Sequence, residues 1–119
     1  MSEERGMPPT LRVGHLDYKL DWAPETALLK IGAHATCDTN DLEIRIGDNL
    51  GGPQLVDAVL HELLHAMRNT HCRELQEPDE EEAEVRWQAR ALTQVFRDNP
   101  ELFGWLRDEL NEHERNLTE

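Results

Sequence analysis

His61-Glu62-Leu63-Leu64-His65 is an HExxH arrangement. Histidines four residues apart lie one helical turn apart and can chelate one zinc ion, while the glutamate after the first serves as general base toward metal-bound water. At about 100° per residue, His61 and His65 lie about 40° apart and Glu62 about 60° from His65, so one helix face carries all three. Ala58, one turn earlier, leaves room there for an ion and its water. Val56, Val59, Leu60, Leu63, Leu64 and Met67 form the opposite, apolar side. The helix is therefore expected to have one packing face and one chemical face.

A catalytic zinc needs a third protein ligand, with water in the fourth position. A second helix is expected to open at Pro78, with Asp79-Glu80-Glu81-Glu82 setting negative charge at the positive end of its dipole. Its expected buried stripe is Val85, Ala89, Leu92 and Phe96, with Trp87, Ala91 and Val95 as a second apolar side. Glu81 and Glu82 each lie about 50° from the centre of the first stripe, on opposite sides, whereas Glu80 and Glu84 point away. Geometry does not separate Glu82 from Glu81. His71 is a rival ligand, because His61, His65 and His71 have the HExxHxxxxxH spacing of metzincins, but only if the chain breaks at Asn69. His34 and Cys37, spaced HxxC, with adjacent His71 and Cys72, would form a strained structural zinc site.

The elements that must position these residues follow in order. Residues 1–10 read as a disordered tail, 11–112 as one domain, and 113–119 as a frayed end. Leu11 to Trp22 alternates apolar with polar residues, which suits a strand or hairpin, with a turn at Gly14-His15 or Asp17. The segment from Thr26 fits a short helix or a strand until Gly32 ends it. Ala33 to Asp41 is small and polar, with a turn signal at Asp38-Thr39-Asn40-Asp41. Leu42-Glu43-Ile44-Arg45-Ile46 alternates strictly and is the clearest strand, with Leu42, Ile44 and Ile46 facing inward. The motif helix is expected from Pro53 to Asn69. Asn99-Pro100-Glu101 reads as N-cap, first-turn proline and acidic first turn of a last helix through Leu102, Phe103, Leu106 and Leu110.

Composition excludes several classes of partner. The 119 residues hold 25 acidic and 12 basic side chains, a net charge of −13 that repels phosphate backbones and anionic membrane surfaces. No nucleic-acid or membrane partner is expected. Without an apolar leader or a spanning segment, the expected location is the cytoplasm, with Cys37 and Cys72 as reduced thiols.

Leu60-His61-Glu62-Leu63-Leu64-His65-Ala66, the preceding I-x-I strand, the acidic stretch leading into Val85, and Phe96-Arg97-Asp98-Asn99-Pro100-Glu101-Leu102 before Trp105-Leu106 resemble the small zincin-like metallopeptidases of phages and prophages. The resemblance covers roughly residues 11 to 110. More distantly the chain resembles gluzincin-type peptidases that cleave phage repressors, whose glutamate ligand is commonly followed by alanine. Glu82-Ala83 matches that pair and favours Glu82 over Glu81, whereas Leu64 stands where that family has a glycine, which speaks against a repressor substrate. The implied fold is α+β and minimally zincin-like: a small, mostly antiparallel sheet packed on the HExxH helix, with two C-terminal helices. The implied function is a zinc-dependent endopeptidase acting on a protein or peptide, with Zn2+ on His61, His65 and Glu82, and Glu62 as general base. Candidates for stabilising the oxyanion are His71, Tyr18, His34 and Arg68, and sheet edges near the helix could pair with an extended substrate. The alternative is a catalytically silent zinc-binding accessory protein of the same fold. A helical binding module without metal is a third reading.

Overall fold

The computed structural model describes residues 4–71 and 80–118, with side chains at 5–71 and 82–115. It is an α+β fold with one four-stranded sheet. Strand β1 (Thr10–Val13) turns at Gly14-His15 into antiparallel β2 (Leu16–Ala23). Gly14 has φ +60°, which the first position of a tight hairpin turn of this hand requires. It also lies against the far end of the motif helix, where a Cβ would come within 2.7 Å of Thr70.

Pro24 ends the second strand and opens helix α1 (Glu25–Leu29), which stops before Gly32. Strand β3 (Ala35–Asp38) and strand β4 (Glu43–Gly47) follow, joined by a turn in which the Asp38 carboxylate accepts from the backbone of Asn40 and Asp41. The sheet order is β1-β2-β4-β3. Because β2 and β4 run parallel, with Leu20 beside Ile44 and Trp22 beside Ile46, the sheet is mixed although two of its three pairings are antiparallel. Leu42 has φ +54° and belongs to the turn, so the alternating strand begins one residue later than its pattern suggests.

Helix α2 (Gly52–His71) lies over one sheet face, helix α3 (Glu80–Asp98) runs beside β1, and helix α4 (Pro100–Thr118) packs on α2. Leu11, Val13, Tyr18, Leu20, Ile44 and Ile46 of the sheet meet Leu55, Val59, Leu63 and Met67 of α2 in the core. Gly52 (φ +55°) starts α2 where a Cβ would collide with the His113 ring, so α4 and α2 touch backbone to ring at that point. No helix among the described residues is long and apolar enough to cross a membrane.

Three expectations need correction. Residues 4–9 are not a loose tail: Met7 is fully buried, Arg5 stacks on Trp22 at 4.4 Å and donates to the Leu50 carbonyl, and Trp105 donates to the Arg5 carbonyl. The last helix extends through Thr118. The expected faces of two helices are also turned. On α2 the buried residues are Leu55, Val59, Glu62, Leu63, Ala66 and Met67, while Leu60 and Leu64 are exposed. On α3 it is Ala83, Trp87, Ala91 and Val95 that are buried, and Val85, Leu92 and Phe96 lie outside.

The rotation of α3 has an identifiable cause. Strand β1 is a sheet edge whose outward N–H and C=O groups need partners. Asn99 supplies both: its Oδ1 accepts from Arg12 N–H at 2.7 Å and its Nδ2 donates to Arg12 O at 2.8 Å. Gln94 accepts from Gly14 N–H at 2.6 Å and donates to Arg12 O at 3.1 Å. Gln94 lies about 60° to one side of Ala91, and Asn99, just past the end of α3, about 40° to the other side of Val95, so the face between them turns to the sheet. Asn99 thus spends its amide on β1 and Val95 O instead of capping α4.

Removing the Asn99 amide strands the half-buried Arg12 N–H and leaves the Arg12 C=O with its Gln94 donor alone. Asn99→Ala is expected to cost about 2 kcal/mol in urea unfolding, whereas Asn99→Asp keeps the acceptor and costs less. An unchanged unfolding midpoint for Asn99→Ala would contradict this role.

Candidate metal centre

The middle of α2 brings the motif together. His61 and His65 are exposed on the helix surface, with Nε2 atoms 3.2 Å apart and rings edge to face. Two nitrogens bound at about 2.0–2.1 Å to one tetrahedral ion lie about 3.3–3.4 Å apart, so the pair has chelating separation. The same separation lets one ring's N–H donate to the other's lone pair.

Glu62 has only 7% of its surface exposed. Burial raises its pKa, while the neighbouring His61 and His65 pull it down. A carboxylate held this way keeps affinity for a proton nearer neutrality, as a general base requires. Glu62 also joins two hollows between α2 and β3. One, about 480 Å³, is lined by Gly32 to Ala35 opposite Gln54, Asp57, Ala58 and His61. The other is lined by Thr36, Cys37 and Thr39 opposite His65, Arg68 and Asn69. Glu62 lines both, so the two hollows adjoin along α2 as the halves of a groove. A third hollow, on the α3 side, is lined by His61, Leu64, His65, Arg68, Trp87 and Gln88.

No described His, Cys, Asp or Glu completes a metal-holding group with the two histidines. Glu82 stands 3.9 Å from Arg86 on the exposed side of α3. The side chain of Glu81, the connector to the second helix, Pro78 and Cys72 lie outside the described residues. Glu84, expected to point away, is turned inward: it accepts from Trp87 Nε1 at 2.9 Å and lies 3.8 Å from Arg68. Around α3, Glu84 is about 60° from Trp87 and Glu82 about 140°. The helix rotation that inverts the apolar stripes thus also inverts the ranking of these two acids. The chain matches no family model, no curated protein and no solved structure.

His71 continues α2 without a break at Asn69 and stacks on Trp87, its Nε2 buried with no hydrogen-bond partner among the described residues. The metzincin spacing therefore does not bring it to the pair. Tyr18 is fully buried behind the groove, with burial raising its pKa. Of the four oxyanion candidates, His34 and Arg68 line the groove and Tyr18 and His71 do not. Cys37 is a free thiol pushed up to about 11, by burial first and then by the charges of Glu62 and Asp38, so it is protonated at neutral pH. Asp57, Trp87 and Gln88 escaped the motif reading. Asp57 has a sequence signal, because Asp57, His61, His65 and Arg68 recur at i, i+4, i+8 and i+11 on one face.

A folded-state pKa above the unfolded value means that stability is full below pH 4 and is lost as Glu62 ionises in the fold. Glu62→Gln should therefore raise the melting temperature of the metal-free protein at pH 7 by a few degrees, on the order of 1 kcal/mol, and have little effect near pH 4. A variant melting below wild type at pH 7 would contradict a strained, buried carboxylate.

Proposed function

We propose that the chain is a zinc-dependent peptidase of minimal zincin-like form, with His61 and His65 as ligands and Glu62 as the base. The observation that carries this reading is the 3.2 Å approach of the two Nε2 atoms beside a buried carboxylate at the centre of a groove. The third ligand is proposed from the first turns of α3. Glu82 is the residue that the resemblance matches, and Glu84 is the one whose carboxylate faces α2. When bound, a zinc ion would polarise the peptide carbonyl and acidify a water molecule.

The chain's own residues supply the remainder. Glu62, facing the groove with raised proton affinity, accepts a proton from the attacking water and passes it to the leaving amine nitrogen. Burial of its stem against α2's packing face keeps the carboxylate in one place during both transfers. Strand β3 pairs only with β4 among the described residues, so its outer edge is available to an extended peptide laid along the groove. His34 lines the hollow beside His61 and Glu62, where it can donate to a developing oxyanion, and Arg68 stands about 9 Å further along α2 on the other side of Glu62.

Untagged wild type, dialysed against a weak chelator, is expected to hold one zinc per chain and to cleave members of a broad peptide library. His61→Ala and His65→Ala should lose the metal, and Glu62→Gln should keep it while cleaving at least about 100-fold more slowly. Either Glu82→Ala or Glu84→Ala should release zinc, and that variant names the third ligand. A wild type that refuses added zinc overturns the reading, whereas zinc retained without any cleavage replaces it with the silent accessory protein.

A further inference from the structure

We infer that the groove between β3 and α2 selects an extended peptide by charge order, with Asp57 receiving a basic side chain at one end and Arg68 an acidic one at the other. The inference rests on the peptidase reading, since it names the substrate class of the same groove.

The groove's dimensions suit an extended chain. Its α2 wall runs from Gln54 to Asn69, roughly fifteen residues at 1.5 Å each, or about 22 Å. At about 3.3 Å per residue that length holds six or seven residues of a strand. The opposite wall is residues 32–39, including β3, the sheet edge left unpaired among the described residues. On the far edge, β1, Asn99 and Gln94 meet the Arg12 N–H and C=O and the Gly14 N–H of the adjoining turn. Among the described residues, the edge beside Glu62 has no strand or side-chain amide paired to it and is open to another strand.

The two ends of this groove differ in charge. Apart from Glu62 at the centre, Asp57 is the carboxylate of the first hollow and Arg68 the cation of the second. Both are exposed, and Asp57 has no ion pair among the described residues. Arg68 is 63% exposed, and its contact with Glu84, at 3.8 Å, is long enough to leave guanidinium donors for a ligand carboxylate. Asp57 and Arg68 lie three turns apart, about 20° around the helix and about 16 Å along it, with His61 and His65 between them. A peptide whose opposite charges stand about five residues apart would meet both, and the bond between them would cross Glu62. The reversed charge order would set like charges against each other at both ends.

The test is fluorescence anisotropy at low salt with the full-length Glu62→Gln protein. The labelled decapeptides are identical except for a lysine and an aspartate five positions apart, in either order, with an uncharged control. One order is expected to bind about fivefold tighter than the other, and the double reversal Asp57→Lys/Arg68→Glu should exchange the preference. Both sites are exposed, so circular dichroism should show the double variant folded. Equal affinities, a preference that survives the reversal, or no binding of any peptide overturns the inference. Zinc uptake and cleavage without charge-order preference would sink this inference alone, and charge-ordered binding by a chain that takes no zinc would sink the metal reading alone.

Discussion

Two side-chain amides set the geometry on which the rest of the molecule depends. Asn99 and Gln94 meet the backbone of Arg12 and Gly14 at the outer edge of β1, where water or another chain would otherwise bind. Because Gln94 sits on the helix that follows the motif and Asn99 directly follows its last residue, their bonds dictate its rotation. Trp87 is then stacked on His71 across a hollow from the histidine pair, Glu84 follows it inward, and Val85, Leu92 and Phe96 are left outside. The hydrophobic content of the two stripes would not have chosen this rotation. Unsatisfied backbone polar groups, which cost more than a few exposed methyls gain, did.

The same closure gives the sheet two unlike edges. One is bridged by amides at Arg12 and Gly14, and the other, β3, borders a groove with a buried glutamate at its midpoint. Glu62 sits among Leu63, Ala66 and Met67 on the packing side of α2, while its histidine neighbours face out. That position is unfavourable for a carboxylate and raises its proton affinity. A glutamine would fill the same space without the charge. The conflict between stability and proton affinity is what a base in a hydrolytic site is expected to show.

Legibility in the sequence tracked how far local pattern decides structure. The hairpin, the Ile44/Ile46 strand and the motif helix each have a strong period and clear stops at Gly14, Pro24, Gly47 and Gly52, and they stand close to where those signals put them. Strand β3 was unreadable because Ala-Thr-Cys-Asp has no apolar alternation, and it is an edge of intermediate burial. The N-terminus looked disordered because its anchors, Arg5 on Trp22 and Trp105 on the Arg5 carbonyl, join residues far apart in the chain. That the His61 and His65 rings meet on one side of α2 follows from their spacing alone. The α3 acids were not legible in this way, since Glu82 and Glu84 differ only in helix rotation, and that is set by long-range bonds to β1.

The most direct test of the central claim is a crystal of untagged protein grown with zinc and measured on both sides of the zinc absorption edge. The account predicts one anomalous peak at about 2.0–2.1 Å from the Nε2 atoms of His61 and His65, with a carboxylate of α3 as the third contact. A zinc-soaked crystal with no anomalous peak at that pair, or with the metal held elsewhere, would contradict it.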